Sequence, residues 1–139
     1  MKKQSATNSG QPDPVVFFID RSLGGKIIAE ALRDAGVQVE THDAHFSQDA
    51  KDEEWLNIAG TKKWIVLTKD DRIRYRETER SALLNAGVRA FVLTAKDLTG
   101  REIGEIFVKS LHKIQRLISK YRGPFIARIT RGGDVTILM

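Results

Sequence analysis

Cysteine is absent from the 139-residue chain. That excludes disulfides, zinc–thiolate sites and a thiol nucleophile, and it fits a reducing cytoplasm as the location. No apolar stretch approaches the roughly 20 residues needed to span a bilayer, so no membrane partner is expected. There is no internal repeat and no low-complexity tract. The glycine spacings of the nucleotide-binding loops are missing, since Leu23-Gly24-Gly25-Lys26 matches neither of them. No Gly-x-Ser-x-Gly elbow supports a serine triad. Acids are absent from Lys109 to Arg131, where seven bases stand (Lys109, Lys113, Arg116, Lys120, Arg122, Arg128 and Arg131).

What is present fits one domain with a sizeable core. Residues 1–14 are polar, carry Lys2 and Lys3, and lack the apolar segment of a secretory signal. They read as a disordered leader, with residues 15–139 as the domain. The net charge is +5 and the pI about 9.6, a balance that suits a polyanionic partner. The acid-free basic block is the place where such a partner would leave its electrostatic footprint.

Apolar runs and their breaks give alternating strands and helices. Val15–Asp20 is a continuous apolar run closing on an acid, as in a strand buried on both faces. Ser22 can cap a helix to about Ala35, stopped by Gly36. Val37–Thr41 alternates as a second strand, and His42 to Lys51 reads as an irregular, solvated loop. A helix from Asp52 to Ala59 ends at Gly60, and Trp64–Thr68 is the third strand. Arg74–Ala86 reads as one helix, Arg89–Leu93 as strand four, and Thr99 to about Tyr121 as the longest helix. Phe125–Thr130 and Val135–Leu138 flank Gly132-Gly133 as a hairpin.

This order predicts an α/β three-layer sandwich. A mostly parallel central sheet would have strand order 2-1-3-4 and a C-terminal antiparallel edge hairpin. Strands one and three then lie side by side at a topological switch point, the crevice where such sheets bind ligands. Asp20 ends strand one, Asp70 and Asp71 follow strand three, and Asp52-Glu53-Glu54 opens the helix between them. Carboxylates gathered in one crevice repel unless a cation joins them, and hard divalent cations prefer oxygen ligands. The pattern points to metal-dependent phosphodiester chemistry.

Each acid also has an ordinary role. Asp20 can cap the following helix, Asp70-Asp71 can form a turn, and Asp52 can complement a helix dipole. His42-Asp43-Ala44-His45 offers no third ligand for a transition metal. On the long helix, Lys109, Lys113, Arg116 and Lys120 share one stripe, spaced four, three and four apart. That stripe is either a solvated face or a phosphate-binding one. Lys69, Arg72, Arg74 and Arg76 surround Asp70.

Three segments carry a family resemblance: Phe17-Phe18-Ile19-Asp20-Arg21-Ser22-Leu23, Asp52-Glu53-Glu54-Trp55-Leu56 and Val66-Leu67-Thr68-Lys69-Asp70-Asp71-Arg72-Ile73. In order and spacing they resemble the three acidic motifs of PIN-like domains, and most of all the short VapC-like branch found among bacterial toxin–antitoxin genes. Gly123-Pro124-Phe125-Ile126-Ala127-Arg128 resembles the ending of that branch. The resemblance spans about Val15 to Leu138.

It implies an endoribonuclease using Mg²⁺ or Mn²⁺, the toxin of a toxin–antitoxin pair. Asp20, Asp52 and Asp70 would be catalytic and metal-binding, with Glu54 and Asp71 in support of the metal. Relatives often carry an acid directly after the first Asp. Here Arg21 stands there, which suits contact with a phosphate. RNA would be held by Arg21, Lys69, Arg72, Lys109, Lys113, Arg116 and Lys120. The implied partners are the RNA substrate, a cognate antitoxin covering the acidic crevice, and a second copy in a homodimer. The alternatives are a catalytically idle RNA- or antitoxin-binding module on the same fold, and a receiver-like phosphoacceptor domain. The receiver reading needs an early acidic pair and a late lysine, which Thr94-Ala95-Lys96-Asp97 matches poorly.

Overall fold

The computed structural model describes residues 15–24 and 26–139; the leader expected over residues 1–14 lies outside them. Six strands form one sheet: β1 (Val16–Ile19), β2 (Gln38–Thr41), β3 (Ile65–Thr68), β4 (Arg89–Leu93), β5 (Phe125–Ile129) and β6 (Val135–Ile137). Their spatial order is β2-β1-β3-β4-β5-β6. The first five run parallel and β6 pairs antiparallel to β5, as the alternation of elements predicts.

The central strands are almost wholly apolar, apart from Arg89 and Thr68 at strand ends, because both faces are covered. Phe17, Ile19, Ile65, Leu67, Phe91 and Leu93 pack under α1 (Ile27–Asp34) and α6 (Gly100–Lys120). Phe18, Val66, Ala90 and Val92 face the other way, under α3 (Asp52–Thr61) and α5 (Glu77–Asn85). This is the period-2 division expected of a strand buried on both sides. On the second face Phe18 stacks between Trp64, with ring centroids 5.3 Å apart, and Trp55, at 5.4 Å. Helix α6 starts where its sequence says it should. Thr99 accepts from the Glu102 amide at 3.1 Å and Glu102 accepts from the Thr99 amide at 2.9 Å, a reciprocal cap that satisfies two otherwise orphaned donors.

Four local readings change. The helix expected from Ser22 begins only at Ile27. Arg21–Leu23 forms a separate 3-10 turn capped by Asp20, and Gly24 at φ +76° breaks the chain before α1. Gly60 does not stop α3, which runs on to Thr61. It is a point of close approach instead, because a Cβ there would lie 2.1 Å from the Ala86 carbonyl oxygen. The single helix expected over Arg74–Ala86 is two, α4 (Arg72–Tyr75) and α5, broken at Arg76, whose ψ of 122° is extended. The loop expected at His42 contains a short helix, α2 (His42–His45), and His42 is buried at 1% exposure against Phe18, Phe46 and Trp55.

Candidate active site

Strands β1 and β3 are adjacent and parallel, so residues just past their ends share one edge of the sheet. The Asp20 amide donates to the Leu67 carbonyl at 3.1 Å, which extends the ladder by one step. The Asp20 carboxylate is 7% exposed. One oxygen accepts from the Ser22 amide at 2.7 Å, and the other from the Ser22 hydroxyl at 3.2 Å and from the Thr68 hydroxyl. Asp20 is thus both the cap of the 3-10 turn and a buried charge. It has no cationic side chain against it among the described residues.

Thr68 is fully buried and links two acids. Its hydroxyl donates to Asp20 and accepts from the Asp70 amide at 2.9 Å. The Ser22 hydroxyl lies 3.2 Å from that of Thr68 and accepts from the Lys69 amide at 3.2 Å. Ser22 and Thr68 are the residues that a sequence reading misses here. A threonine ending a strand reads as a β-former, and a serine before a helix reads as a cap. The available signal was the spacing Thr68-x-Asp70, which turns the hydroxyl back onto the amide two residues on.

The charges respond as this geometry requires. Burial pushes the Asp20 carboxyl above its ordinary value of 3.8, against the lowering effect of the Thr68 and Ser22 hydrogen bonds, and the Asp70 charge adds to the rise. Asp70 moves the other way. Arg72 donates to its two oxygens at 2.8 and 2.7 Å and holds its carboxyl below the ordinary value.

Asp52 opens α3 at the same end of the sheet, close enough for its charge to act on Arg72. One of its oxygens accepts from the Trp55 indole at 2.9 Å. Glu53 and Glu54 are exposed beside it in the first turn. Asp71 is held by Arg74 at 3.0 Å. Among the described residues, no three Asp, Glu or His side chains stand close enough to share one cation. Arg72 occupies the Asp70 carboxylate and the Trp55 indole holds that of Asp52, while Asp20 is tied through Thr68 to the Asp70 backbone amide. Asp20 and Asp70, just past the ends of neighbouring strands, still offer the oxygen ligands that a hard cation prefers. Mg²⁺ retains several waters and is commonly held by one or two carboxylates plus substrate phosphates, and a buried carboxylate with raised proton affinity lacks a positive partner.

The expected RNA contacts divide into two groups. Arg21, Lys69 and Arg72 are exposed at the carboxylate end. The α6 stripe leads away from it. Lys109 packs along the hairpin turn, where a Cβ on Gly133 (φ +90°) would lie 2.9 Å from its Cε. Lys113 pairs with Asp134 at 3.1 Å, so an acid distant in sequence meets the acid-free block. Arg116 contacts His112 at 3.0 Å, and Lys120 lies over the Tyr121 ring at 5.5 Å. Arg89, at the opening of β4, donates to the Ile118 and Tyr121 carbonyls. The Lys120 end of the stripe is therefore at the opposite edge of the sheet from Asp20.

The family model of the PIN like domain matches residues 15–95, which hold β1 to β4 and all three acidic clusters. The chain belongs to the PIN-like domain family. It is also similar to a Mycobacterium tuberculosis protein named "Putative ribonuclease VapC45", at 31% identity over 126 residues that cover 88% of this chain and 91% of that protein. No solved structure gives a significant match. Among the described residues, no helix of this PIN-like domain is long and apolar enough to cross a membrane.

Proposed function

We propose that the protein is an endoribonuclease using Mg²⁺ or Mn²⁺. The observation that carries this reading is the buried Asp20 carboxylate, tied through Thr68 to the Asp70 amide at the sheet edge and without a cationic partner among the described residues. The similarity to a protein named as a ribonuclease supports the substrate class. Asp20 and Asp70 would hold the cation, with Asp52 completing the set and Glu54 and Asp71 shaping the field around it. When bound, the cation polarises the phosphate and lowers the pKa of a water.

The chain's own residues do the rest. Ser22 and Thr68 fix the Asp20 oxygens, so no rotamer freedom is lost when a ligand arrives. Arg72 holds Asp70 until a competing positive charge displaces it. Arg21 and Lys69, exposed at the rim, position phosphates without reading sequence. Lys109, Lys113, Arg116 and Lys120 would carry flanking RNA along α6. The resemblance to the VapC-like branch supports a toxin paired with an antitoxin in the cytoplasm, and a homodimer as the assembled form.

A second reading, the catalytically idle RNA- or antitoxin-binding module, is favoured by the hold of Arg72 on Asp70 and of Trp55 on Asp52, with no three acids brought together among the described residues. Incubation of labelled RNA with wild-type protein in Mg²⁺, Mn²⁺ or EDTA separates the two. Metal-dependent cleavage that is lost in Asp20→Asn and in Asp70→Asn is expected. Full cleavage by Asp70→Asn, or RNA binding without any cleavage in either metal, defeats the nuclease reading.

A further inference from the structure

Beside the carboxylates, a crevice of about 500 Å³ opens between the ends of β3 and β4. Its walls include Ser22, Lys69 and Asp70 on one side and Thr94, Ala95, Lys96 and Leu98 on the other. Ala95 and Leu98 are half-buried and pack on the core beneath α1 and α6, so the crevice has an apolar floor. The far wall is held in place: the Thr94 amide donates to the Ile129 carbonyl at 3.1 Å, and Arg131 donates to the Lys96 carbonyl at 3.1 Å. Asp97 turns the chain at φ +60°, a conformation that an aspartate adopts more readily than most residues.

Pairing decides the charge of this crevice. Asp70 is neutralised by Arg72, and Asp71 by Arg74. That leaves two lysines, Lys69 and Lys96, and one acid, Asp97, in the lining, and neither lysine has a carboxylate within ion-pair distance among the described residues. Two lysines, one just past β3 and one three residues past β4, therefore line a crevice that has an apolar floor and also includes Asp70. The volume lies in the range of small-ligand sites.

We propose that this crevice is a nucleotide subsite for single-stranded RNA, with Lys69 and Lys96 on the phosphate next to the scissile one and its base lying on Ala95 and Leu98. This rests on the ribonuclease reading and deepens it by assigning the neighbour of the reacting nucleotide to the β4–α6 loop. An apolar floor accepts any base by its face, so the subsite positions RNA with little preference for sequence. Lys96 and Leu98 are positioning residues; they touch the strand and not the reacting phosphate.

The test is binding of short fluorescent single-stranded RNA to the metal-free full-length protein in EDTA. Lys96→Gln, an exposed change that leaves the core intact, should weaken binding about fivefold at about 0.1 M salt and lower the log–log salt slope by about 0.7. In the metal-loaded enzyme it should raise KM and leave kcat unchanged. A series of RNAs with one abasic nucleotide should show one position where binding weakens in the wild type and no longer weakens further in Leu98→Ala. An unchanged affinity and slope in Lys96→Gln overturns the proposal. So does a loss confined to a polyglutamate probe with RNA affinity intact, which would assign the crevice to an acidic protein segment. Wild-type protein that binds RNA with the Lys96 and Leu98 dependence but never cleaves it removes the nuclease reading and supports the subsite. Cleavage with an unaltered KM in Lys96→Gln removes the subsite and leaves the nuclease.

Discussion

Arg72 grips Asp70 with two parallel hydrogen bonds, Nε to one carboxylate oxygen at 2.8 Å and Nη2 to the other at 2.7 Å. The guanidinium stands where a divalent cation on Asp70 would have to bind. Arg72 is more than half exposed, so solvent and salt screen the pair. It is a weak competitor and not a permanent lock. Arg72→Gln should therefore tighten Mn²⁺ binding by about two- to fivefold in the RNA-free protein, measured by calorimetry or by the electron paramagnetic resonance signal of free Mn²⁺. Unchanged or weaker Mn²⁺ affinity would show that Asp70 does not hold the cation.

Stability should depend on pH with opposite signs on the two sides of 3.8, the ordinary value from which both acids depart. Asp20 is raised, so the folded state binds its proton more tightly than the unfolded chain. Its contribution is fully present below 3.8 and is lost as pH rises through the folded value. Asp70 is lowered, so its contribution is present above 3.8 and is lost as pH falls through its folded value. Urea midpoints measured across this range should show a falling limb above 3.8 that vanishes in Asp20→Asn and is suppressed by Mg²⁺. An identical limb in wild type and Asp20→Asn would refute the assignment.

Thr68 can be tested by shape. Thr68→Val keeps the branched side chain and leaves the Asp20 oxygen and the Asp70 amide without their shared partner. The expected loss is about 1–3 kcal/mol in unfolding free energy, together with weakened Mn²⁺ binding. Thr68→Ser restores the hydroxyl and should recover metal affinity, at a cost of about 1 kcal/mol for the lost methyl group. Equal metal affinity in the Val and Ser variants would mean that Thr68 serves packing alone.

The α6 stripe should matter only for long substrates. Lys109 lies about 14 Å along α6 from Gly100 by helical rise, and the later bases lie farther from the carboxylates. Lys109→Gln combined with Arg116→Gln should lower the salt slope by about 0.7 per lost contact on long RNA and leave short RNA unaffected. An unaltered slope on long RNA would make the stripe a solvated face.

Much of the fold is legible in the sequence because strands β1, β3 and β4 are largely apolar on both faces, and because glycines close α1 and α5 and a capping box opens α6. The break at Arg76 is not legible, since neither glycine nor proline marks it. His42 reads as a loop residue because its aromatic neighbours Phe18 and Trp55 are distant in sequence, and both of its ring nitrogens lack partners there. Asp20 and Asp70 could be placed at one edge from strand order alone. The grip of Arg72 on Asp70 and of Trp55 on Asp52 depends on rotamers, which no pattern of residue types specifies. The direction of the basic stripe follows from the length of α6 and from where its C-terminal end rests, at Arg89.

On the proposed metal-site reading, Gly60 would act on this chemistry from a distance. Helix α3 leans so closely on the Ala86 carbonyl that no side chain fits between them, and Asp52 sits about 12 Å away at the other end of the same helix. The helix behaves as a lever with its fulcrum on the back of the molecule. A methyl group inserted under the fulcrum would swing Asp52 relative to Asp20 and Asp70, which ride on the sheet and would stay where they are. On that reading the reach of the acidic set would be retuned by a residue far from any bound phosphate.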